Sequence, residues 1–227
     1  MKKNLAKPTA SLNFEHSLIE QGYRCIAGID EAGRGAWAGP VSAGAVVLPL
    51  DQPDLLQTLE GVTDSKQLSA RTRESLAEKI TSTAVAWGVG RAEAAEIDAL
   101  GIVPATCLAM RRAIDLVFGQ VEPDFLLLDQ IKWRGFPKRQ IDYQTIIRGD
   151  SLSLSIAAAS VLAKVARDAW MVEYDAQYPG YGFAIHKGYG VPQHQSALRE
   201  LGASPLHRMT YKPLQQPLLP LSFEEIE

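Results

Sequence analysis

Apolar and polar positions along the chain recur with two different periods, which predict strands and helices. Short apolar runs that are rich in β-branched residues and bounded by turns are typical of strands. Five such runs are present, at residues 24–29, 41–48, 84–90, 124–129 and 143–148. Stretches with helical spacing predict helices at residues 51–59, 69–80, 93–100, 104–118, 153–174 and 193–201.

The order of these elements predicts an α/β fold with a central mixed five-stranded sheet flanked by helices. The run at residues 124–129 is apolar without interruption, so we expect it to be buried on both faces. Ser69 is the expected N-cap of the second helix. We expect three segments: a flexible N-terminal tail at 1–18, the main α/β domain at 19–178, and a C-terminal helical segment and tail at 179–227. The last segment is expected to form a small lid or to pack on the sheet.

Length and composition limit the class of protein. A chain of 227 residues, with 46% hydrophobic and 22% charged residues, suffices for one sizeable domain. No run of 18 apolar residues occurs, and no apolar segment follows the Met-Lys-Lys start, so we expect neither a transmembrane helix nor a secretory signal. Cys25 and Cys107 lie in apolar segments and are expected to be buried free thiols, as in a reducing cytosol. The four histidines lack the paired spacing of a zinc site.

The distribution of charge leaves two interpretations open. The net charge of −3 argues mildly against a nucleic-acid partner, because such proteins are often basic. Residues 131–170, however, carry seven basic and three acidic side chains. This segment is either a nucleic-acid contact or a solvated basic face. Within it, Trp133 and Phe136 lie among basic residues of a 131–140 loop, which either faces nucleic acid or is anchored by its own aromatic rings.

Two adjacent carboxylates end the first apolar run. Asp30 and Glu31 lie where α/β proteins tend to place their chemistry, at the carboxyl end of a strand. Gly33 and Gly35 flank Arg34, and they let the backbone approach a ligand without an intervening Cβ. Taken alone, an Asp-Glu pair is more often part of a polar hairpin loop.

Two further strands are expected to lead to an acid. Asp129 ends the fourth run, and Asp150 follows the fifth. Two bare carboxylates ~4 Å apart repel by about 4 kcal/mol at an effective dielectric constant near 20, so a cluster of them needs protons or cations. Oxygen ligands favour Mg²⁺ or Mn²⁺, and two such ions can hold the attacking water and the leaving oxygen of a phosphodiester. Considered singly, Asp150 is as typical of a helix cap as of a metal ligand, and Asp129 is as typical of an Asx turn as of a metal ligand.

Several segments occur in the order found in bacterial ribonuclease HII, and the chain resembles that family over residues 24–211. The segments are Gly-Ile-Asp-Glu-Ala-Gly-Arg-Gly at 28–35, Asp-Ser-Lys at 64–66, Leu-Leu-Leu-Asp at 126–129, Gly-Asp-Ser at 149–151, Ser-Ile-Ala-Ala-Ala-Ser-Val-Leu-Ala-Lys-Val-Ala-Arg-Asp at 155–168 and His-Lys-Gly-Tyr at 186–189.

This resemblance implies a ribonuclease H-like fold and a metal-dependent endonuclease. Such an enzyme hydrolyses the RNA strand of RNA/DNA hybrids and incises duplex DNA 5′ of an embedded ribonucleotide, which leaves 3′-hydroxyl and 5′-phosphate ends. It also implies two Mg²⁺ or Mn²⁺ ions, a role in ribonucleotide excision repair, and a monomer in the cytoplasm.

The resemblance further assigns roles to individual residues. The metal-binding catalytic acids are expected to be Asp30, Glu31, Asp129 and Asp150. The residues expected to bind substrate are Gly33, Arg34, Gly35, Lys66 and Tyr189. The backbone of residues 33–35 corresponds to a loop that senses the ribose 2′-hydroxyl, the group that distinguishes RNA from DNA. Tyr189 corresponds to a ring that stacks on the next deoxyribose, and Lys66 to a phosphate contact.

Residue patterns alone favour other roles for some of these side chains. Tyr189 would be a core or loop tyrosine, whereas Lys66, Lys164 and Arg167 would be solvated charges. Ala36-Trp37 and Gln130 depart from the usual family residues. Residues 215–223 resemble a clamp-binding peptide weakly, and a disordered tail is favoured there. The rival functions are a catalytically silent hybrid-binding module, which would lack an acid, and a resolvase-like nuclease specific for DNA, which would lack the 33–35 loop and Tyr189.

Overall fold

The computed structural model describes residues 10–131 and 140–215. At its centre is a five-stranded sheet with the strand order β3-β2-β1-β4-β5. The strands are β1 (Ile26–Ala32), β2 (Val41–Val47), β3 (Ala86–Ala92), β4 (Phe125–Asp129) and β5 (Asp142–Ile146). β1 and β3 are antiparallel to β2, whereas β4 is parallel to both β1 and β5. The predicted α/β fold with a mixed five-stranded sheet is therefore confirmed.

Helices cover both faces of the sheet. In the described residues they are α1 (Asn13–Glu20), α2 (Leu55–Thr58), α3 (Ala70–Thr83), α4 (Ala94–Leu100), α5 (Ile102–Phe118), α6 (Leu154–Gln177), α7 (Phe183–His186), α8 (Pro192–Leu201) and α9 (Lys212–Gln215). α5 packs on one face, and α6, with α3 behind it, packs on the other. Ser69 caps α3 as predicted, since its hydroxyl accepts from the Thr72 amide at 3.2 Å. Within the described ranges, no helix has the length and apolarity needed to cross a membrane.

Close packing of β1 against α6 determines which way the β1 side chains point. A Cβ at Gly28 would lie 2.2 Å from the carbonyl carbon of Ser155, so only glycine fits there. Because side chains alternate along a strand, Asp30 faces α6 as Gly28 does. The contact of β1 with α6 therefore directs the first site carboxylate toward Ser160 of that helix, which hydrogen-bonds to it.

The N-terminal segment differs from the prediction of a flexible tail at 1–18, because residues 13–18 lie in α1. The Glu15 carboxylate is fully buried, and it accepts from the Ser153 hydroxyl at 2.7 Å and from the Ser155 amide at 3.0 Å. Leu18 packs with Ile26 and Ile156. Helix α1 is therefore attached to the start of α6 by both polar and apolar contacts. Residues 1–9 lie outside the described residues.

The C-terminal segment packs beside the carboxyl-terminal half of α6. Tyr181 and Phe183 stack on each other at 5.1 Å between ring centroids, and they form a buried cluster with Met171 of α6. The same cluster includes Ala38 from the loop after β1, with Trp37 packed against it. The segment thus reaches the loop that follows the site strand. Residues 216–227 lie outside the described residues.

Several predicted element boundaries were wrong. The first strand continues to Ala32, so Asp30 and Glu31 lie within it instead of after it. The fifth strand ends at Ile146 and is largely exposed, because it is an edge strand, and Asp150 lies in a separate 3₁₀ turn, Gly149–Ser151. The helix predicted at residues 51–59 is a single turn, α2. The predicted burial of the fourth strand on both faces is confirmed.

Candidate active site

Four acidic residues from three elements surround one edge of the sheet. Asp30 and Glu31 come from β1, and Asp129 is the last residue of β4. In the parallel pairing of these strands Ile29 is opposite Leu128. The next residue of each strand is an acid, so Asp30 and Asp129 lie at the same level of the sheet. Asp150 enters from the 3₁₀ turn that precedes α6.

A hydrogen bond joins two of these elements. The Asp129 carboxylate accepts from the Gly149 amide at 2.7 Å. It thereby holds the turn that carries Asp150 against the end of β4. Arg148, the residue before this turn, has a left-handed backbone with φ 59°, which redirects the chain from β5 toward α6.

The electrostatics of the cluster disfavour its ionised form. Burial, and then the charges of Glu31 and Asp129, raise the pKa of Asp30 well above its usual value. Burial also raises the pKa of Glu31, although the hydrogen bond from Arg34 opposes this shift. Burial, followed by the charges of Asp64 and Asp129, raises the pKa of Asp150. Carboxyl groups with raised pKa values gain most when a cation is placed among them.

Two cations partly neutralise the cluster. The Arg34 guanidinium donates to Glu31 Oε1 at 3.0 Å. The Lys66 ammonium lies 3.9 Å from Asp150 Oδ2. Burial by itself would lower the pKa of Lys66, but the neighbouring carboxylates, led by Asp30 and Asp150, raise it overall. The Lys66 ammonium therefore lies beside the acidic cluster, although its side chain is 74% exposed to solvent.

The donor set fits hard divalent cations. Among the described residues, no three His, Cys, Asp or Glu side chains are already arranged around a single ion position. Glu31 Oε2, however, is buried and has no hydrogen-bond partner there. An unpartnered carboxylate oxygen beside two further acids with raised pKa values is the environment that a bound Mg²⁺ or Mn²⁺ would stabilise.

A cavity of about 280 Å³ opens beside Glu31. It brings together all five residues that the sequence predicted to bind substrate, and four others, Glu31, Ala32, Ser65 and Lys164, also line it. Its lining consists of Glu31, Ala32, Gly33, Arg34, Gly35, Ser65, Lys66, Lys164 and Tyr189. The cavity therefore adjoins the acidic cluster and is bordered by three cationic side chains, Arg34, Lys66 and Lys164, and by the Tyr189 ring.

Tyr189 lies on the rim of this cavity and is 37% exposed. The Arg167 and Lys164 cationic groups lie 5.6 and 5.8 Å from its ring centroid. Trp37, one of the departures from the family pattern, donates from its amide to the Gly188 carbonyl at 2.8 Å. Trp37 therefore supports the Tyr189 loop from behind and is not part of the cavity lining.

The expectation that Arg167 and Lys164 are solvated charges was wrong. Arg167 is fully buried, and it donates to the carbonyls of Pro40, Ala38 and Lys187 at 2.9 to 3.2 Å. Lys164 forms an ion pair with Asp168 at 2.6 Å. A helical pattern does not reveal that the loop after β1 covers this part of α6, so sequence reasoning missed the burial.

Two further contributors were not assigned by sequence reasoning. Asp64 caps the 3₁₀ turn Ser65–Gln67 by accepting from the Lys66 amide at 3.0 Å, and its charge helps to raise the pKa of Asp150. Arg208 is fully buried beneath the 33–35 loop. The Asp-Ser-Lys motif at 64–66 could have identified Asp64 from the sequence, whereas no motif marks Arg208. Residues 132–139, most of the basic aromatic loop, lie outside the described residues.

The chain is similar to known proteins of one family. The sequence profile of the family described as Ribonuclease HII matches residues 27–214. The ribonuclease HII of Myxococcus xanthus is 52% identical over 208 residues, which are 91% of this chain and 68% of that protein. The ribonuclease HII of Syntrophotalea carbinolica is 50% identical over 212 residues, which are 93% of this chain and 96% of that protein.

Solved structures share the fold. Ribonuclease H2 from Pyrococcus horikoshii has a TM-score of 0.69 and 24% identity, covering 85% of this chain and 96% of its own. The PCNA:RNase HII complex from Archaeoglobus fulgidus contains a chain with a TM-score of 0.66 and 25% identity, covering 83% and 96%. Bst-RNase HIII in complex with Mn²⁺ has a TM-score of 0.67 and 20% identity, covering 86% and 69%.

Proposed function

The chain belongs to the ribonuclease HII family and is an endoribonuclease that degrades RNA in RNA/DNA hybrids. We propose that it does so by two-metal-ion hydrolysis. We also propose that it incises DNA 5′ of single embedded ribonucleotides. The products of this proposed incision have 3′-hydroxyl and 5′-phosphate ends. The observation that carries the proposal is the convergence of four acids beside a cavity whose lining includes the Gly-Arg-Gly loop (residues 33–35).

The proposed ligands are the carboxylates of Asp30, Glu31, Asp129 and Asp150. When bound there, two Mg²⁺ or Mn²⁺ ions would supply an activated water and would stabilise the leaving 3′-oxygen. Bst-RNase HIII, which has the same fold, is known in complex with Mn²⁺. For this chain, the fit rests on its own donor set, in which the buried Glu31 Oε2 has no partner among the described residues.

The remaining cavity residues have proposed roles in binding. Arg34 holds Glu31 by its 3.0 Å ion pair and so fixes the direction of that carboxylate. Lys66, with its side chain 74% exposed, can contact a substrate phosphate while it stays near Asp150. The Gly-Arg-Gly loop recognises the ribose 2′-hydroxyl through its backbone, and the Tyr189 ring stacks on the deoxyribose that follows the ribonucleotide. Recognition and cleavage therefore occur at adjoining parts of one cavity.

The deciding experiment uses a labelled DNA duplex with one internal ribonucleotide, incubated with Mg²⁺ or Mn²⁺. We expect one incision on the 5′ side of the ribonucleotide and no cleavage of the all-DNA duplex. The product ends are identified by whether a polymerase extends the 3′ end without treatment. Cleavage of long hybrids without incision at a single ribonucleotide would reject the finer activity, and cleavage of the all-DNA duplex would favour the DNA-specific alternative.

The matched control is Asp168→Asn, which removes a carboxylate from α6 outside the four-acid cluster. Asp129→Asn should abolish incision while hybrid binding is retained, because the metal ligand is lost and the cavity lining is intact. Asp168→Asn should keep substantial activity. Near-normal turnover of Asp129→Asn would contradict the two-metal assignment.

We further propose a monomeric, cytoplasmic protein, and a weak contact with a replication clamp. A ribonuclease HII from Archaeoglobus fulgidus forms a complex with PCNA. In this chain, the candidate peptide at residues 215–223 lies almost entirely outside the described residues. Truncation after residue 214 should abolish the clamp contact in a pull-down with purified clamp and leave incision of a short duplex unchanged.

A further inference from the structure

A buried cation lies directly behind the Gly-Arg-Gly loop. Arg208 is fully buried and belongs to the C-terminal segment, far in sequence from the loop. Its Nη2 donates to the Gly33 carbonyl at 2.8 Å and its Nη1 to the Arg34 carbonyl at 2.9 Å. Its Nε donates to the Gly39 carbonyl at 3.0 Å. One guanidinium thus binds three carbonyls of the chain that follows β1.

A tyrosine acts on the same loop. The Tyr211 hydroxyl donates to the Arg34 carbonyl at 2.6 Å and accepts from Arg208 Nη1 at 2.9 Å. The segment that carries both residues is anchored by Asp98 of α4, which accepts from the Met209 and Thr210 amides at 2.8 and 3.0 Å. The two donors are therefore fixed with respect to the body of the protein.

Burying Arg208 has an energetic cost that its partners must offset. No carboxylate forms an ion pair with it in the part of the chain that the structure describes. Burial accordingly lowers the pKa of its guanidinium. A buried cation is tolerated only when its donors are satisfied, and here the acceptors are the loop carbonyls and the Tyr211 hydroxyl. Loop geometry and Arg208 burial therefore depend on each other.

The direction of the carbonyls determines the direction of the amides. The peptide bonds of the loop are trans, and a trans peptide points its N–H away from its C=O. Because the Gly33 and Arg34 carbonyls point toward Arg208, the Arg34 and Gly35 amides point to the opposite side. Within residues 10–131 and 140–215 neither amide has an intramolecular acceptor. The loop itself lines the cavity, so these two donors are free for a ligand.

We propose that Arg208 and Tyr211 are positioning residues for ribose recognition, which hold the Gly33 and Arg34 carbonyls inward so that the Arg34 and Gly35 amides face the 2′-hydroxyl. This inference rests on the proposed recognition of ribose by the Gly-Arg-Gly loop. It assigns a specificity role to two residues that belong neither to the cavity lining nor to the four acids. Their loss should reduce the preference for ribose more than it reduces binding of DNA.

The test measures binding in EDTA, so that no hydrolysis occurs, by fluorescence anisotropy. Two duplexes of the same sequence are compared, one all-DNA and one with a single ribonucleotide. The readout is the dissociation constant of the all-DNA duplex divided by that of the ribonucleotide-containing duplex, so a larger ratio means a stronger preference for ribose. Tyr211→Phe removes one hydroxyl bond to the loop and should reduce this ratio about two- to tenfold, the range of one net hydrogen bond. Arg208→Lys keeps the charge but cannot reach three carbonyls, so it should reduce the ratio at least as much.

The matched control is Tyr181→Phe. Tyr181 also donates its hydroxyl to a backbone carbonyl, that of Gly202 at 2.9 Å, instead of to a carbonyl of the Gly-Arg-Gly loop. Tyr181→Phe should lose a similar amount of thermal stability and keep the wild-type ratio. If Arg208→Lys fails to fold, the comparison of the two Tyr→Phe variants decides.

The outcomes separate the two proposals. A wild-type protein that binds both duplexes equally would contradict ribose recognition itself. A wild-type preference that persists unchanged in Tyr211→Phe would overturn the positioning role alone. Equal weakening of both duplexes in Tyr211→Phe would also overturn it, because that result indicates only structural support. A reduced ratio in Tyr211→Phe, with the ratio of Tyr181→Phe unchanged, supports it.

Discussion

At the scale of single residues, the site holds carboxyl groups in an environment that opposes their charge. Asp30 is 2% exposed, and its neighbours Glu31 and Asp129 add like charges. When the pKa of a carboxyl group is higher in the folded state than in the unfolded state, the free energy of unfolding decreases as pH rises from the unfolded pKa to the folded pKa. At neutral pH and without metal, the cluster therefore destabilises the fold.

Replacing Asp30 by Asn should therefore stabilise the metal-free protein while it abolishes cleavage. Asn can still accept from the Glu31 amide, which donates to Asp30 Oδ1 at 2.7 Å, so the geometry is retained. We expect the free energy of unfolding to increase, because the variant removes a buried negative charge and its repulsion by Glu31 and Asp129. Urea denaturation in EDTA at pH 7.5 measures it.

Asp168→Asn serves as the contrasting variant. Asp168 pairs with Arg73 at 3.2 Å and with Lys164 at 2.6 Å, so its removal should lower the free energy of unfolding. Added Mg²⁺ should stabilise the wild type and Asp168→Asn but have a smaller effect on Asp30→Asn. A destabilised Asp30→Asn in EDTA would contradict the repulsion argument.

Tyr189→Ala should affect the substrate and not the fold, because the ring is partly exposed and its contacts are two cationic side chains. The incision rate at a single ribonucleotide should fall by a factor equivalent to ~1–3 kcal/mol, the range for a stacking contact. A substrate with ribose on both sides of the cut should lose less. Steady-state rates on both substrates and a melting curve provide the measurements.

Tyr189→Phe should retain most of the rate, since the stacking face remains. Tyr143→Ala, at an exposed position of β5, is the control for loss of a surface ring. Equal losses on both substrates would show that Tyr189 positions the backbone generally. Junction recognition would then depend on the Gly-Arg-Gly loop alone.

At the scale of elements, the site depends on how α6 is held against β1 at its start. Ser153 caps α6 by accepting from the Ile156 amide at 3.3 Å, and Glu15 of α1 binds both Ser153 and the Ser155 amide. A carboxylate at a helix N-terminus is favoured by the helix dipole. Helix α1 therefore supplies a second, non-local cap.

Glu15→Ala should lower the free energy of unfolding by about 1–3 kcal/mol, because it leaves buried donors unsatisfied. Glu15→Gln keeps an acceptor of the same shape and loses only the charge, so it should cost less, ~0.3–1 kcal/mol. Urea denaturation of both variants tests this order. An unchanged Glu15→Ala, or a Gln variant less stable than the Ala variant, would show that α1 does not cap α6.

At the scale of the whole molecule, three buried histidines join the C-terminal segment to the cavity. The Ser204 amide donates to His207 Nδ1 at 2.9 Å, so His207 carries its proton on Nε2 and donates to His194 Nε2 at 3.0 Å. His194 then donates from Nδ1 to the Tyr189 carbonyl at 3.0 Å. His186 stacks on His194 at 4.5 Å between ring centroids and is buried too.

Burial lowers the pKa of both His194 and His207 from 6.5 to about 4. Between these values the unfolded chain binds protons that the folded chain does not, so the free energy of unfolding should decrease as pH falls from 6.5 toward 4. The loss should approach about 3 kcal/mol for each histidine. Unfolding free energies measured from pH 7 to 4.5 follow this change.

The double variant His194→Gln/His207→Gln should show a flatter pH dependence than the wild type, whatever its absolute stability. His16→Gln is the control for replacing a histidine that is not buried, because His16 is exposed on α1. An equal slope in the wild type and the double variant would contradict the neutral buried state of these histidines.

The sequence by itself determined the layers of the fold and most of the chemical groups. Uninterrupted apolar runs such as β4 and the helical spacing of α5 and α6 are local patterns, so they predict elements without tertiary information. The motifs that place Asp30, Glu31, Asp129, Lys66 and Tyr189 at strand ends and loops are likewise local. The structure brings all of these residues to one edge of the sheet.

Tertiary structure decided what these local patterns could not. Arg167 and Lys164 lie on a helix whose pattern does not show which turn the loop after β1 will cover, and Glu15 lies in a segment predicted as a tail. Arg208 and Tyr211 are nearly 180 residues from the carbonyls they bind. A backbone carbonyl can accept a hydrogen bond whatever side chain its residue carries, and whether it does so depends on where the folded chain places it. Partners of this kind leave no motif, so only the folded chain reveals them.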